Sequence, residues 1–259
     1  MSRFATKVAV VTGAGAGIGR AVAQQLAAEG AHVAVLDRDE PGAAQTAESV
    51  RAAGGTARPF VVDVTSPTQV AEAMNQVSNE FGGIDIVVNN AGVVRYGSVP
   101  EFSIEDWNLV IGTNLTGCFL TAKYAIPALR RRGGGAIVNT ASAQAFASQP
   151  DVAAYSASKG AVVAMTRTLA IDHAADNIRV NCICPGSVET PMLRYGAEYF
   201  DDGDPAVTMQ QWGRQHPIGR LIQPEDVARL VTFLVSDDAA VITGAPYFVD
   251  GGLLARLGV

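Results

Sequence analysis

Short apolar runs and helix-length segments alternate from one end of the chain to the other, and no other feature narrows its possible folds so far. The strand-like runs are Lys7–Thr12, His32–Asp37, Ala57–Val64, Ile84–Asn89, Ala136–Ala141, Arg179–Cys184 and Ala245–Val249. Val8-Ala9-Val10-Val11 and Val33-Ala34-Val35-Leu36 are apolar without a break, as strands covered on both faces should be. Between them lie Ile18–Glu29, Glu40–Ala53, Pro67–Phe81, Ile104–Arg132, Ala153–Ala175 and Pro224–Val235, long enough for helices. Gly30, Gly54-Gly55 and Gly82-Gly83 stop the first three. Strand, helix and strand at this spacing need crossover connections, and crossovers build one parallel sheet with helices on both sides. The expectation is α/β: a doubly wound parallel sheet of about seven strands, in a single domain over residues 1–259. Only Ser187–Gly219 breaks the rhythm. It carries Tyr195, Tyr199, Phe200 and Trp212 around Asp201-Asp202-Gly203-Asp204 and reads as an irregular aromatic lid, residues 187–219, over the ends of the strands.

Composition excludes several classes of function. The net charge is −6, from 19 Lys+Arg and 25 Asp+Glu, and basic residues form no run. This argues against nucleic acid and against a membrane surface as partners. No stretch approaches the roughly 18 uninterrupted apolar residues of a transmembrane helix. The first residues lead straight into a core-like strand, so no signal peptide is expected and the reading is cytoplasmic. Three cysteines make no disulfide framework; Cys182 and Cys184 share one face of a strand as small hydrophobes. His32, His173 and His216 are scattered without metal-ligand spacing, so no metal is expected. The charged fraction of 17% is below the roughly 25% of ordinary soluble chains, which suggests surface buried between copies.

Thr12-Gly13-Ala14-Gly15-Ala16-Gly17-Ile18-Gly19 joins the first strand to the first helix. Glycines at such a junction let backbone amides and the positive end of a helix receive a phosphate. The spacing is TGxxxGxG, on Gly13, Gly17 and Gly19, rather than GxGxxG. Asp37 stands at the end of the second strand, where a carboxylate accepts from both hydroxyls of an adenosine ribose and repels a 2′-phosphate. The pattern is that of a Rossmann-type dinucleotide site.

That octapeptide, with Asn89-Asn90-Ala91-Gly92 and Tyr155-Ser156-Ala157-Ser158-Lys159, resembles the short-chain dehydrogenase/reductase family. Asp63, Asn114, Ser142, Pro185-Gly186 and Asp250-Gly251-Gly252 recur in the family's order, so the resemblance spans essentially the whole chain. It implies an enzyme that interconverts a secondary alcohol, or hemiacetal, and a carbonyl, with Asn114, Ser142, Tyr155 and Lys159 as its catalytic set. It further implies cofactor contacts at Gly13, Gly17, Ile18, Gly19, Asp37, Arg38, Asp63, Val64, Asn90, Ala91, Gly92, Tyr155, Lys159, Pro185, Gly186, Val188 and Thr190. Tyr155 and Lys159 lie four apart, hence on one helix face. A phenol is a poor base at neutral pH, and the neighbouring ammonium together with the positive nicotinamide is expected to lower its pKa.

Asp37, with no basic residue among Ala14, Gly15 and Ala16, favours NAD over NADP; Arg38 is read as a cationic plane over the adenine. Ser142, Gln144, Gln149, Tyr155, Arg95 and Tyr195 are the expected substrate contacts. The two amides suit several hydroxyls at once, and the stretch from Gln144 to Tyr155 looks like bacterial members acting on sugars and polyols. The alternatives are a 3-oxoacyl-(acyl-carrier-protein) reductase and a dehydrogenase of hydrophobic secondary alcohols or hydroxysteroids; a non-catalytic nucleotide-binding module would have lost Tyr155 or Lys159. A homotetramer is expected, through the small residues Ala153, Ala154, Ala157, Gly160, Ala161 and Ala164 and through the tail Leu253–Leu257.

Overall fold

The computed structural model describes residues 2–201 and 203–256. Its strands are β1 (Val8–Thr12), β2 (His32–Asp37), β3 (Thr56–Val61), β4 (Ile86–Asn89), β5 (Gly135–Thr140), β6 (Ile178–Pro185) and β7 (Pro246–Val249). They form one sheet in the order β3-β2-β1-β4-β5-β6-β7, and every neighbouring pair is parallel. The chain winds outward from β1 to β3 and then from β4 to β7. A crevice therefore opens where β1 and β4 meet, at the C-terminal ends of the strands.

The helices are α1 (Gly17–Ala28), α2 (Glu40–Ala52), α3 (Pro67–Phe81), α4 (Ile104–Ile111), α5 (Gly117–Arg131), α6 (Ala153–Asp172), α7 (Pro191–Phe200), α8 (Pro205–Gln215) and α9 (Pro224–Val235). Unbroken apolar strands supply both faces by simple alternation. Ala9, Val11, Val33, Val35 and Val88 meet α1, α2 and α9. Val8, Val10, Ala34, Leu36 and Val87 meet α3 and α5. Leu129 of α5 is completely buried, and its truncation to Ala is worth about 2–5 kcal/mol.

Three expectations are corrected. The stretch 187–219 is not irregular: it holds α7 and α8, each begun by a proline behind a capping side chain, Thr190 and Asp204. A proline in the first turn loses nothing, and these caps satisfy amides that the helix leaves open. The segment Ile104–Arg132 is not one regular helix. Between α4 and α5, Gly112–Thr116 forms a π turn in which the Gly117 amide donates to the Gly112 carbonyl, five residues back. Third, β3 ends at Val61, because Val62 and Val64 turn inward while the edge strand itself is half exposed. Among the described residues only Ile104–Arg131 is a helix long and apolar enough to cross a membrane. Here its Leu120, Ala125, Ile126 and Leu129 are buried in the core cluster that β1 and α3 share. Asp202 and Leu257 lie outside the described residues.

Candidate active site

A cavity of about 770 Å³ occupies the crevice, running from Asp37 and Asp63 at one end to Trp212 and Leu254 at the other. The glycine turn forms its floor. Gly13 and Gly17 sit at φ +62° and +51°, a region that costs other residues free energy. A Cβ on Gly13 would stand 2.8 Å from the Ala91 Cα, and one on Gly19 would stand 2.2 Å from the Gly13 carbonyl oxygen. Ala16, ahead of α1, offers no side-chain cap. The first amides of the helix are thereby left for a ligand, and that ligand is best an anion.

Asp37 is fixed rather than free. One carboxylate oxygen accepts from the Gly15 amide at 2.8 Å and the other from the Asp39 amide at 2.9 Å. Arg38 is exposed beside it and makes no ion pair among the described residues. Asp63 accepts from the amide and hydroxyl of Thr65 through one oxygen, and Val64 packs on Gly117. Asn90 spends its side chain on the carbonyls of Thr12 and Gly13, at 3.2 and 3.1 Å. It ties β4 to the turn.

At the far end Ser142, Tyr155 and Lys159 meet. Ser142 follows β5, is nearly buried, and accepts from the Gln144 amide at 3.1 Å. The bond occupies an acceptor position and leaves the hydroxyl proton to donate. Tyr155 and Lys159 stand on α6, with the ammonium nitrogen 5.6 Å from the phenol ring centre. Lys159 is 3% exposed and donates to the Thr140 carbonyl at 2.7 Å. Gly92 leaves it room, since a Cβ there would stand 3.5 Å from the ammonium nitrogen. Burial pushes the Lys159 ammonium down to about 8, with the nearby thiols of Cys118 and Cys184 opposing. Burial also raises the Tyr155 phenol above its usual value, and the Ser142 hydroxyl pulls it the other way. The lowering expected with the positive nicotinamide beside it belongs to the loaded site; among the protein's own groups desolvation prevails.

The deciding observation is the match to known proteins over almost all of this framework. Residues 13–254 match the sequence model of a family described as enoyl-(acyl carrier protein) reductase. The chain is 40% identical to a meso-2,3-butanediol dehydrogenase of Serratia marcescens, over 99% of this chain and 98% of that one. It is 38% identical to 2-(S)-hydroxypropyl-CoM dehydrogenase 3 of Xanthobacter autotrophicus, over 98% and 99%. A solved short-chain type dehydrogenase/reductase of Mycobacterium marinum superposes with a TM-score of 0.91 at 36% identity, covering 98% and 97%. The chain belongs to the short-chain dehydrogenase/reductase family.

Members of this family are oxidoreductases of alcohols and carbonyls that use a nicotinamide cofactor. The turn into which no Cβ fits, the uncapped helix start and the anchored Asp37 suit the phosphates and ribose of such a group. In this short-chain dehydrogenase Gly13, Gly17, Ile18, Asp37, Arg38, Asp63, Val64, Asn90, Ala91, Gly92, Pro185, Gly186, Val188 and Thr190 all line the cavity, with Ser142, Gln144, Gln149, Tyr155 and Lys159. Gly19 is beneath the turn. Asn114 stands behind the wall, in the π turn: its amide accepts from the Val93 amide and donates to the Val93 carbonyl and the Ser158 hydroxyl. It therefore pins the loop after β4 to α6. Arg95 and Tyr195 do not reach the cavity. Asp106 pairs with the Arg95 guanidinium at 3.4 Å, the Val94 carbonyl accepts from it, and Tyr195 lies on its outer side.

Sequence reasoning passed over four groups that the fold brings in. Tyr96 lines the cavity; its ring stacks on Tyr199 of α7, 4.7 Å between centres, and burial pushes its phenol up to about 12. Gln215 ends α8. His216 is buried, accepting from the Ser187 amide at 3.1 Å and facing the Trp212 carbonyl at 2.9 Å. It joins α8 to the loop after β6. Leu253 and Leu254 line the cavity of their own chain: Asp250 accepts from the amides of Gly252 and Leu254 and holds this turn inward. The one readable signal was Asp250-Gly251-Gly252, a turn directed back toward the strand ends.

Proposed function

We propose that the chain is an NAD-dependent dehydrogenase that interconverts a secondary alcohol, or hemiacetal, and a carbonyl on a sugar or polyol. The observation that carries this is the convergence of Ser142, Tyr155 and Lys159 on one cavity with the glycine turn. The bound cofactor's nicotinamide supplies or accepts the hydride. In the oxidising direction the Tyr155 phenolate oxygen takes the carbinol proton. Ser142 donates to the same substrate oxygen, since the Gln144 amide already occupies an acceptor position on it. Lys159 keeps its bond to Thr140 and turns its remaining protons toward Tyr155 and the cofactor ribose. Asn114 holds the 90–94 loop and α6 at a fixed separation while this happens.

Support for NAD rather than NADP comes from Asp37. To admit a 2′-phosphate it would have to give up bonds to two amides, or stay and repel it. Asp37→Ala should therefore reduce turnover with NAD at least tenfold and improve the ratio of NADP to NAD; wild-type protein that prefers NADP refutes the assignment. We also assign the cytoplasm, on three buried thiols with no disulfide, and a homotetramer. Exposed Ala153, Ala157 and Ala164 on α6 and half-exposed Phe119 on α5 form an open, largely small-residue face suited to a partner helix. Light scattering should give about four times the 26.9 kDa chain mass; the mass of one chain refutes it.

A further inference from the structure

The charged side chains of the cavity are distributed unevenly. Asp37, Arg38 and Asp63 line the adenosine end, and Lys159 completes the set among the described residues. The substrate end is closed by the neutral groups Gln144, Gln149, Gln215 and Tyr96 and by the apolar Trp212 and Leu254. The nearest free cations are turned elsewhere. Arg95 is taken by Asp106 and the Val94 carbonyl, Arg194 is exposed outside the lining, and Lys159 is committed to Thr140 beside Tyr155. A carboxylate, sulfonate or phosphate on the substrate would enter without a counter-charge, and desolvating an unpaired anion is strongly unfavourable.

Among the described residues, two in the lining hold a buried polar atom without a partner, Thr140 beside Lys159 and Gln144 in this wall. The side-chain oxygen of Gln144 is buried and has no hydrogen-bond partner, although the same residue's backbone amide donates to the Ser142 hydroxyl. An amide oxygen accepts and cannot donate, so the group that completes it must bring a proton. Gln144 and Ser142 line the same cavity and the Gln144 backbone amide is bonded to the Ser142 hydroxyl, so the completing group and the reacting oxygen belong to one substrate.

We propose that the substrate is uncharged and carries a second hydroxyl next to the reacting one, received by the Gln144 amide oxygen; this rests on the dehydrogenase reading above and narrows it. The class is that of neutral vicinal diols and their hydroxyketones, including unphosphorylated sugars. Three six-membered rings that differ at one neighbouring carbon test it: cyclohexanol, 1,2-cyclohexanediol (cis and trans) and 2-hydroxycyclohexanecarboxylate, with NAD and with NADP. The better diol isomer should exceed both other rings at least tenfold in kcat/KM. Gln144→Leu should shrink the diol-to-cyclohexanol ratio toward one, and Gln144→Glu, which keeps an acceptor, should preserve most of it. Thermal unfolding checks that both variants fold. A carboxylate turned over as well as the diol, or cyclohexanol equal to the diol, overturns the substrate class and leaves the dehydrogenase reading standing. Oxidation of none of the rings with either cofactor overturns both.

Discussion

Replacing Lys159 by Met should make the protein more stable at neutral pH, by a margin that shrinks in mild alkali. Lys159 is 3% exposed, and burial lowers its ammonium from 10.5 to about 8. In the unfolded chain the ordinary value returns. Between pH 8 and 10.5 the unfolded state therefore holds a proton on Lys159 that the folded state has released, and the contribution of Lys159 to stability must rise with pH across that window. The penalty is complete below pH 8 and relieved as the pH approaches 10.5. At 1.36 kcal/mol per pH unit it amounts to roughly 3 kcal/mol. Met cannot donate to the Thr140 carbonyl, and losing that bond returns about 1 kcal/mol. The expected net gain at pH 7 is about 2 kcal/mol, or ~4–8 °C in Tm for a chain of this size. Denaturant titrations of both proteins at equal concentration, from pH 7 to 10, measure it. The raised thiol of Cys118 from about pH 9 and the raised phenol of Tyr155 above pH 10 work in the opposite sense, being held protonated in the folded state; both act in wild type and variant alike, so the difference between the two profiles reads Lys159. Parallel profiles for wild type and variant, or a variant less stable at pH 7, would refute the reasoning.

Tyr155→Phe should abolish turnover while cofactor affinity, followed by quenching of protein fluorescence, stays within a few-fold; turnover near that of wild type removes Tyr155 as the proton acceptor. In wild type, oxidation should accelerate from neutral toward alkaline pH as the phenolate forms, and a flat profile with chemistry shown to be rate-limiting contradicts that. Gly19→Ala places a Cβ 2.2 Å from the Gly13 oxygen and 2.6 Å from the Asn90 amide, so the turn must shift; a loss of about 1–3 kcal/mol and at least tenfold in cofactor affinity is expected. Gly160→Ala, where a Cβ meets nothing within 4 Å, is the calorimetric comparison and should be neutral or stabilising by up to ~1 kcal/mol. Equal behaviour of the two variants would show that the turn tolerates the methyl group.

The parts that proved legible in the sequence are those whose physics is local. Val8–Val11 cannot be exposed on either face, so a covered strand follows from four adjacent residues. The pairing of Tyr155 with Lys159 follows from helical pitch, and the glycine turn from backbone conformations that only Gly adopts cheaply. Arg95 was misread because its partner, Asp106, arrives from a separate helix, and nothing near Arg95 in sequence announces that ion pair. Tyr96 was missed for the same reason: its value comes from Tyr199, a hundred residues on. The stretch 187–219 reads as irregular because it breaks the strand–helix rhythm, yet Thr190-Pro191 and Asp204-Pro205 already spell two helix starts. That Leu253 and Leu254 also line the cavity could not be read from the tail's composition, because the inward pull of Asp250 on the amides beyond it is a property of the folded turn.

The π turn at Gly112–Thr116 sets a limit on how this chain can change. Such a turn holds one residue more than the α turn it replaces, so it fixes the angular phase between α4 and α5. Removing a residue there would restore a regular helix and rotate one side against the other by about 100°. Either Asn114 would swing away from Val93 and Ser158, or Leu120, Ile126 and Leu129 would leave the core. Substitutions at these positions act one at a time, whereas a change of length forces catalytic support and core packing to be lost or kept together. The short link between α7 and α8 carries no such phase. Changes of length between α7 and α8, each of which carries its own N-terminal cap, force no such choice.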